Sequence, residues 1–81
     1  MRDPTHARLR WRCRRGMKEL DVLLGSWLER RWPEADEGRR RSFQWLLEQP
    51  DPDLADWLIG GSRPADAGHA ALVDDIVRRR D

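Results

Sequence analysis

Apolar residues in this chain recur at steps of three and four, and each such run is cut by proline or glycine before it grows long. Leu20, Leu23, Leu24, Trp27 and Leu28 form one stripe, and Phe43, Leu46 and Leu47 form another. Leu54, Trp57 and Leu58 make a third, and Leu72, Val73, Ile76 and Val77 a fourth. That spacing places side chains on one face of an α-helix, and no period-two run of β-branched residues suggests a strand. Helices this short are marginal alone and must bury their stripes against one another. The fold class that follows is all-α, a compact bundle of five short helices.

Punctuation sets the boundaries. Pro4 and Thr5 offer a start for the first segment, which carries Leu9 and Cys13 at i, i+4 with Trp11 on an adjacent face. The second segment runs from about Lys18 to Trp32, where Pro33 stops it. Asp36 is a candidate N-cap for the third, with Glu37 in its first turn. Asp51 as N-cap and Pro52 at the first helical position start the fourth, and Gly60-Gly61 ends it. Pro64 and Asp66 open the last, whose end carries Arg78, Arg79 and Arg80 to complement the helix dipole.

Eighty-one residues make a single domain, residues 1–81, with a modest core and a thin stability margin. The single Cys13 rules out an intramolecular disulfide, and His6 and His69 lie too far apart in sequence to suggest a metal cluster. Cys13 reads as a small buried hydrophobe. No apolar run approaches the ~20 residues that span a bilayer, and no apolar stretch follows the N-terminal arginines as in a secretory signal. A soluble, reducing compartment fits, which in a bacterium is the cytoplasm. Low size and mixed charge favour a monomer.

Charge is unevenly placed. From Met1 to Lys18, seven basic residues face one acidic residue, while the rest of the chain carries nine against fourteen. The segment Arg8-Leu9-Arg10-Trp11-Arg12-Cys13-Arg14-Arg15 mixes cations with an aromatic, as nucleic-acid-binding helices do. The acidic remainder would repel phosphate, and the pI of about 8.0 is below that of such modules. A solvated face plus a protein interface is the better reading. Among the tryptophans, Trp27 and Trp57 lie on apolar stripes and belong in the core, whereas Trp11 and Trp45 fit theirs less well. Trp11, beside arginines, is divided evenly between core and interface anchor.

Catalysis is not expected. The chain has no Gly-rich phosphate loop, no paired Cys-x-x-Cys and no Ser/His/Asp set that a small fold could assemble. Attention goes instead to Cys13-Arg14-Arg15-Gly16-Met17-Lys18-Glu19-Leu20-Asp21, the joint between the first two helices. Arg14 and Arg15 would sit at the negative end of one dipole, Glu19 and Asp21 near the positive end of the next. Gly16 suits a left-handed residue closing the first helix.

These residues resemble the SdhE family, the FAD assembly factors of succinate dehydrogenase, called succinate dehydrogenase assembly factor 2 in mitochondria. The family signature Arg-Gly-x-x-Glu stands here as Arg15-Gly16-Met17-Lys18-Glu19. Leu46-Leu47-Glu48, Asp51-Pro52-Asp53-Leu54, Trp57-Leu58 and Pro64-Ala65-Asp66 match further blocks in the same order. The departures are Arg39-Arg40-Arg41 and Trp45, read as solvated surface choices, and Gly38, a poor helix former in the third helix.

The resemblance implies a five-helix domain that binds the flavoprotein subunit of succinate dehydrogenase, and in some bacteria that of fumarate reductase, and promotes covalent attachment of FAD to it. It implies a client-facing patch of Arg15, Gly16 and Glu19 with Arg8 and Trp11 as neighbours, and more remotely Asp53 and Trp57. FAD is then the client's cofactor, not one held tightly here. Two rivals stay open on sequence alone: a small nucleic-acid-binding module, and a regulatory antitoxin-type partner of a small membrane protein.

Overall fold

Five α-helices form where the stripes place them: α1 (Pro4–Arg12), α2 (Lys18–Arg30), α3 (Glu37–Leu47), α4 (Asp51–Leu58) and α5 (Ala67–Arg78). The computed structural model describes residues 4–78, and all regular elements among them are helical. Residues Arg79 and Arg80, assigned above to the end of the last helix, lie outside the described residues. The radius of gyration of 11.6 Å equals that of a chain drawn around one core, about 11.7 Å for this length.

The core takes one or more residues from every helix: Leu9 from α1, Leu20, Leu24, Trp27 and Leu28 from α2, Phe43, Leu46 and Leu47 from α3, Leu54 and Leu58 from α4, and Leu72, Val73 and Ile76 from α5. Cys13, just past α1, joins it. α3 packs most extensively on α5, α2 touches α4 and α5, and α1 lies across α2 and α3. Thus α1 is held from one side only, and its outer face is solvent.

Four local expectations change. The second helix ends at Arg30, and Trp32–Glu34 form a 3₁₀ turn instead of its last residues. Proline disfavours α conformation in the residue before it, so the break comes ahead of Trp32, and the tighter Glu34 N–H to Arg31 carbonyl bond (3.1 Å) replaces the α ladder. The fourth helix starts one residue earlier than expected: Pro50 is its N-cap and has no side-chain acceptor to offer, and Asp51 is the first helical residue, its carboxylate paired with Arg15. Gly16 has the left-handed φ expected of it (+87°), yet it does not close α1, which stops four residues earlier. It lies just before Met17, the residue that starts α2.

The fourth change concerns the surface. Arg40 is not simply solvated: its guanidinium lies 4.9 Å from the centre of the Trp32 ring and donates to the Trp32 carbonyl at 3.1 Å and the Pro33 carbonyl at 3.2 Å. Trp45 is half-buried, stacked between Trp57 at 5.5 Å and His69 at 3.8 Å. Its partners come from α4 and α5, which the periodicity of α3 cannot reveal. Asp36 does cap α3, accepting the Arg39 N–H at 2.8 Å. Trp27 is buried as expected, stacked on Phe43 at 4.6 Å and donating through Nε1 to Asp75 at 2.7 Å.

Candidate docking face at the joint of the first two helices

Between Arg12 and Lys18 the chain has five residues in which to reverse, and the polar groups of Arg15 hold the reversal. Its backbone N–H donates to Asp21 Oδ1 on α2 at 2.7 Å. Its Nε donates to Asp51 Oδ1 on α4 at 3.0 Å. Its Nη1 reaches the Arg12 carbonyl at the end of α1 (3.2 Å) and the Leu47 carbonyl at the end of α3 (2.9 Å), and Nη2 donates to the Gln49 carbonyl. One side chain therefore satisfies carbonyls at two helix ends, where the backbone runs out of its own donors.

The Arg15 side chain is only 16% exposed. Its planar fork is occupied by acceptors within the chain, which fix its position. Gly16, next to it, is exposed, and a Cβ built there would meet nothing within 4 Å. Glycine is required by the φ of +87°, not by crowding. Glu19 is exposed in the first turn of α2.

Exposed apolar side chains stand in the segments on either side of this clamp. Trp11 is 72% exposed, Met17 40% and Val22 53%, three of the four large hydrophobic side chains exposed among the described residues. All three flank the joint in sequence, at the end of α1, the start of α2 and its second turn. Beside them an open groove of about 740 Å³ runs between α1 and α2, with Arg10, Arg14, Asp21, Val22, Gly25 and Ser26 among its walls. An Arg10–Glu29 ion pair joins the two helices across it. Cys13 also borders the groove but is buried, and burial pushes its thiol up to about 12. Such a thiol is not a nucleophile at neutral pH.

The remaining expected site residues divide. Arg8 is exposed and lines a smaller depression with Arg12 of α1 and Gln44 and Glu48 of α3, so it faces away from the groove. Asp53 is exposed in the first turn of α4, two residues beyond the Asp51 that Arg15 holds. Trp57 is half-buried in the stack with Trp45 and belongs to that cluster instead of the joint. Sequence reasoning missed Asp51, read as a cap, together with Met17 and Val22. Asp51 lies 36 residues from Arg15, and nothing local signals the pairing.

Comparison with known proteins adds the following. Residues 7–80 match the model of a family described as "Flavinator of succinate dehydrogenase". The FAD assembly factor SdhE of Vibrio vulnificus is 48% identical over 71 residues, covering 88% of this chain and 83% of that protein. The protein of the same name from Vibrio cholerae is 45% identical over the same shares. That of Coxiella burnetii is 38% identical over 77 residues, 94% of either chain.

Proposed function

The chain belongs to the family of flavinators of succinate dehydrogenase, and from that premise we propose that it docks on the flavoprotein subunit of that enzyme through the α1–α2 joint and promotes covalent attachment of FAD. The observation that carries the docking face is the exposure of Trp11, Met17 and Val22 around a backbone that Arg15 holds in place. Three large apolar side chains left in water within twelve residues of chain point to a surface that a partner covers. An exposed tryptophan ringed by arginines is the composition of an interface anchor.

The chemistry belongs to the client. Bond formation between flavin and a client histidine places negative charge on the isoalloxazine, which groups inside the client must stabilise. A helper with no reactive group of its own accelerates that step by binding one client conformation better than others, which raises the population of the reactive geometry. The one soft nucleophile here, Cys13, is buried and protonated, and so takes no part. In this reading the chain is not an enzyme, FAD stays with the client, and the factor works as a cytoplasmic monomer. The flavoprotein subunit of fumarate reductase is a second client of the same chemistry. No helix of the described residues is long and apolar enough to cross a membrane.

The test is reconstitution. The flavoprotein subunit is produced without flavin, mixed with FAD with and without this protein, and run on a denaturing gel that retains only covalent flavin fluorescence. A strong gain with the protein present is expected; equal fluorescence in both lanes would sink the reading.

A further inference from the structure

Beside Arg8 and Trp11 of α1 and the half-buried Trp57, the expected client-facing residues fall on two separated stretches, the joint at Arg15–Glu19 and the start of α4 at Asp53. The Arg15 side chain spans both. Arg15 Nε meets Asp51 Oδ1 at 3.0 Å, while its Nη atoms take the Leu47 and Gln49 carbonyls that lead into α4. The Asp51 side chain is 43% exposed and stands in the first turn of α4, so the pair ties the start of that helix directly to Arg15. Gly16 directly follows Arg15, and Asp53 is two residues past Asp51. We infer that Asp51 and Arg15 are positioning residues, which lock the start of α4 to the joint so that both stretches meet the client as one rigid surface.

This rests on the docking reading above, and its consequence is particular. A loosened surface binds less well, because only the fraction of molecules with both stretches aligned is competent. Once bound, the client should react as before, since neither residue touches the reacting atoms. A second arginine supplies the control: Arg63 Nε donates to Asp74 Oδ1 at 2.7 Å and its Nη1 to the Trp57 carbonyl at 3.1 Å, bracing the α4–α5 loop in the same way.

Two measurements test this with the whole 81-residue chain. In titrations of this protein into the flavin-free flavoprotein subunit at saturating FAD, Asp51→Asn should raise the half-maximal concentration of this protein at least fivefold and leave the maximal rate within twofold of wild type. Asp74→Asn should change neither by more than twofold. An unchanged half-maximal concentration, or a lowered maximum alone, overturns the assignment. In the free protein, amide exchange at Arg15 and Asp21, whose N–H groups are bonded to Asp21 Oδ1 and the Met17 carbonyl, should quicken at least tenfold in Asp51→Asn while Leu24 and Phe43 stay protected. Unchanged exchange at the joint also overturns it, whatever the client does. Failure of the wild-type protein to promote flavinylation, with the exchange result standing, would remove the functional reading but keep the clamp. Arg15→Lys, which cannot reach all of these acceptors at once, should match or exceed Asp51→Asn in both assays, and wild-type behaviour from it would contradict the role.

Discussion

The turn between α1 and α2 and the corner between α2 and α3 use the same tool for opposite ends. At each, one arginine crosses to a neighbouring element and takes up loop carbonyls, Arg15 at the joint and Arg40 at the corner. The corner covers its apolar groups: Trp32 packs edge-on to Trp27 and Phe43 at 6.5 and 6.0 Å, Arg40 lies over its ring, and Asp36 caps the helix that follows. The joint leaves its apolar groups outside, and no side-chain hydrogen bond caps α2, since its N-cap residue is Met17. The corner shuts its apolar groups in, and the joint leaves them in water. A domain this small can spare little stability, so the exposed tryptophan needs an explanation other than folding.

The contrast breaks most visibly at its two extremes. Phe43→Ala removes the fully buried ring under Trp27, and a loss of about 3–5 kcal/mol is expected, enough to unfold much of the population at 37 °C. Thermal unfolding followed by circular dichroism measures it. Gly16→Arg should act the other way. A side chain at φ +87° costs roughly 1–2 kcal/mol, but nothing lies within 4 Å to collide with it. The variant should keep most of its helicity and lose client flavinylation, because the new side chain stands where a partner's backbone would approach. Gly16→Ala, with the same backbone strain and little bulk, separates the two causes: retained flavinylation there assigns the loss in Gly16→Arg to obstruction. A Gly16→Arg protein that is folded and fully active would end the assignment of the joint.

Trp11→Ala sharpens the same comparison at a smaller scale. Being 72% exposed, Trp11 contributes little to the fold, and its truncation should move stability by within about 0.5 kcal/mol. If it anchors the client, the same change should weaken binding by at least about 2 kcal/mol, close to thirtyfold. Binding measured by titration against the flavoprotein subunit decides this, and a loss of stability without a loss of affinity would place Trp11 with the core residues.

Much of this was legible because it is local. The stripes in α2 to α5 follow from steps of three and four, and Asp36 sits one residue before the helix it caps. The left-handed Gly16 followed from a glycine between two helical segments. What stayed hidden depends on distant partners. Arg15 bonds to the carbonyls of Leu47 and Gln49, 32 and 34 residues away, and a backbone acceptor leaves no trace in residue type. Trp45 looked ill-placed because its neighbours Trp57 and His69 belong to other helices. Asp51 before Pro52 has the composition of a cap, and the helix does start there; only the tertiary structure diverts its carboxylate to Arg15.

The smallest effect at neutral pH comes from Cys13, the core residue nearest the joint. Its thiol is raised from an ordinary value near 9.0 to about 12, chiefly by burial. The folded state therefore keeps a proton that the unfolded chain gives up. Below about pH 7.5 both forms are protonated and stability does not depend on this group. Above that value the unfolded chain ionises first, so stability should fall with pH until the folded thiol ionises near 12, by up to about 1.4 kcal/mol per pH unit. Denaturant titrations of the wild type and Cys13→Ala between pH 8 and 11 isolate this slope, since other titrating groups are common to both. A thiol reagent at pH 8 then reports how often the joint opens. Labelling at the rate of global unfolding makes the joint as firm as the corner, held there by Arg15. Labelling much faster than amide exchange at Phe43 would mean that the clamp yields on its own, and that the docking surface is ordered by its client.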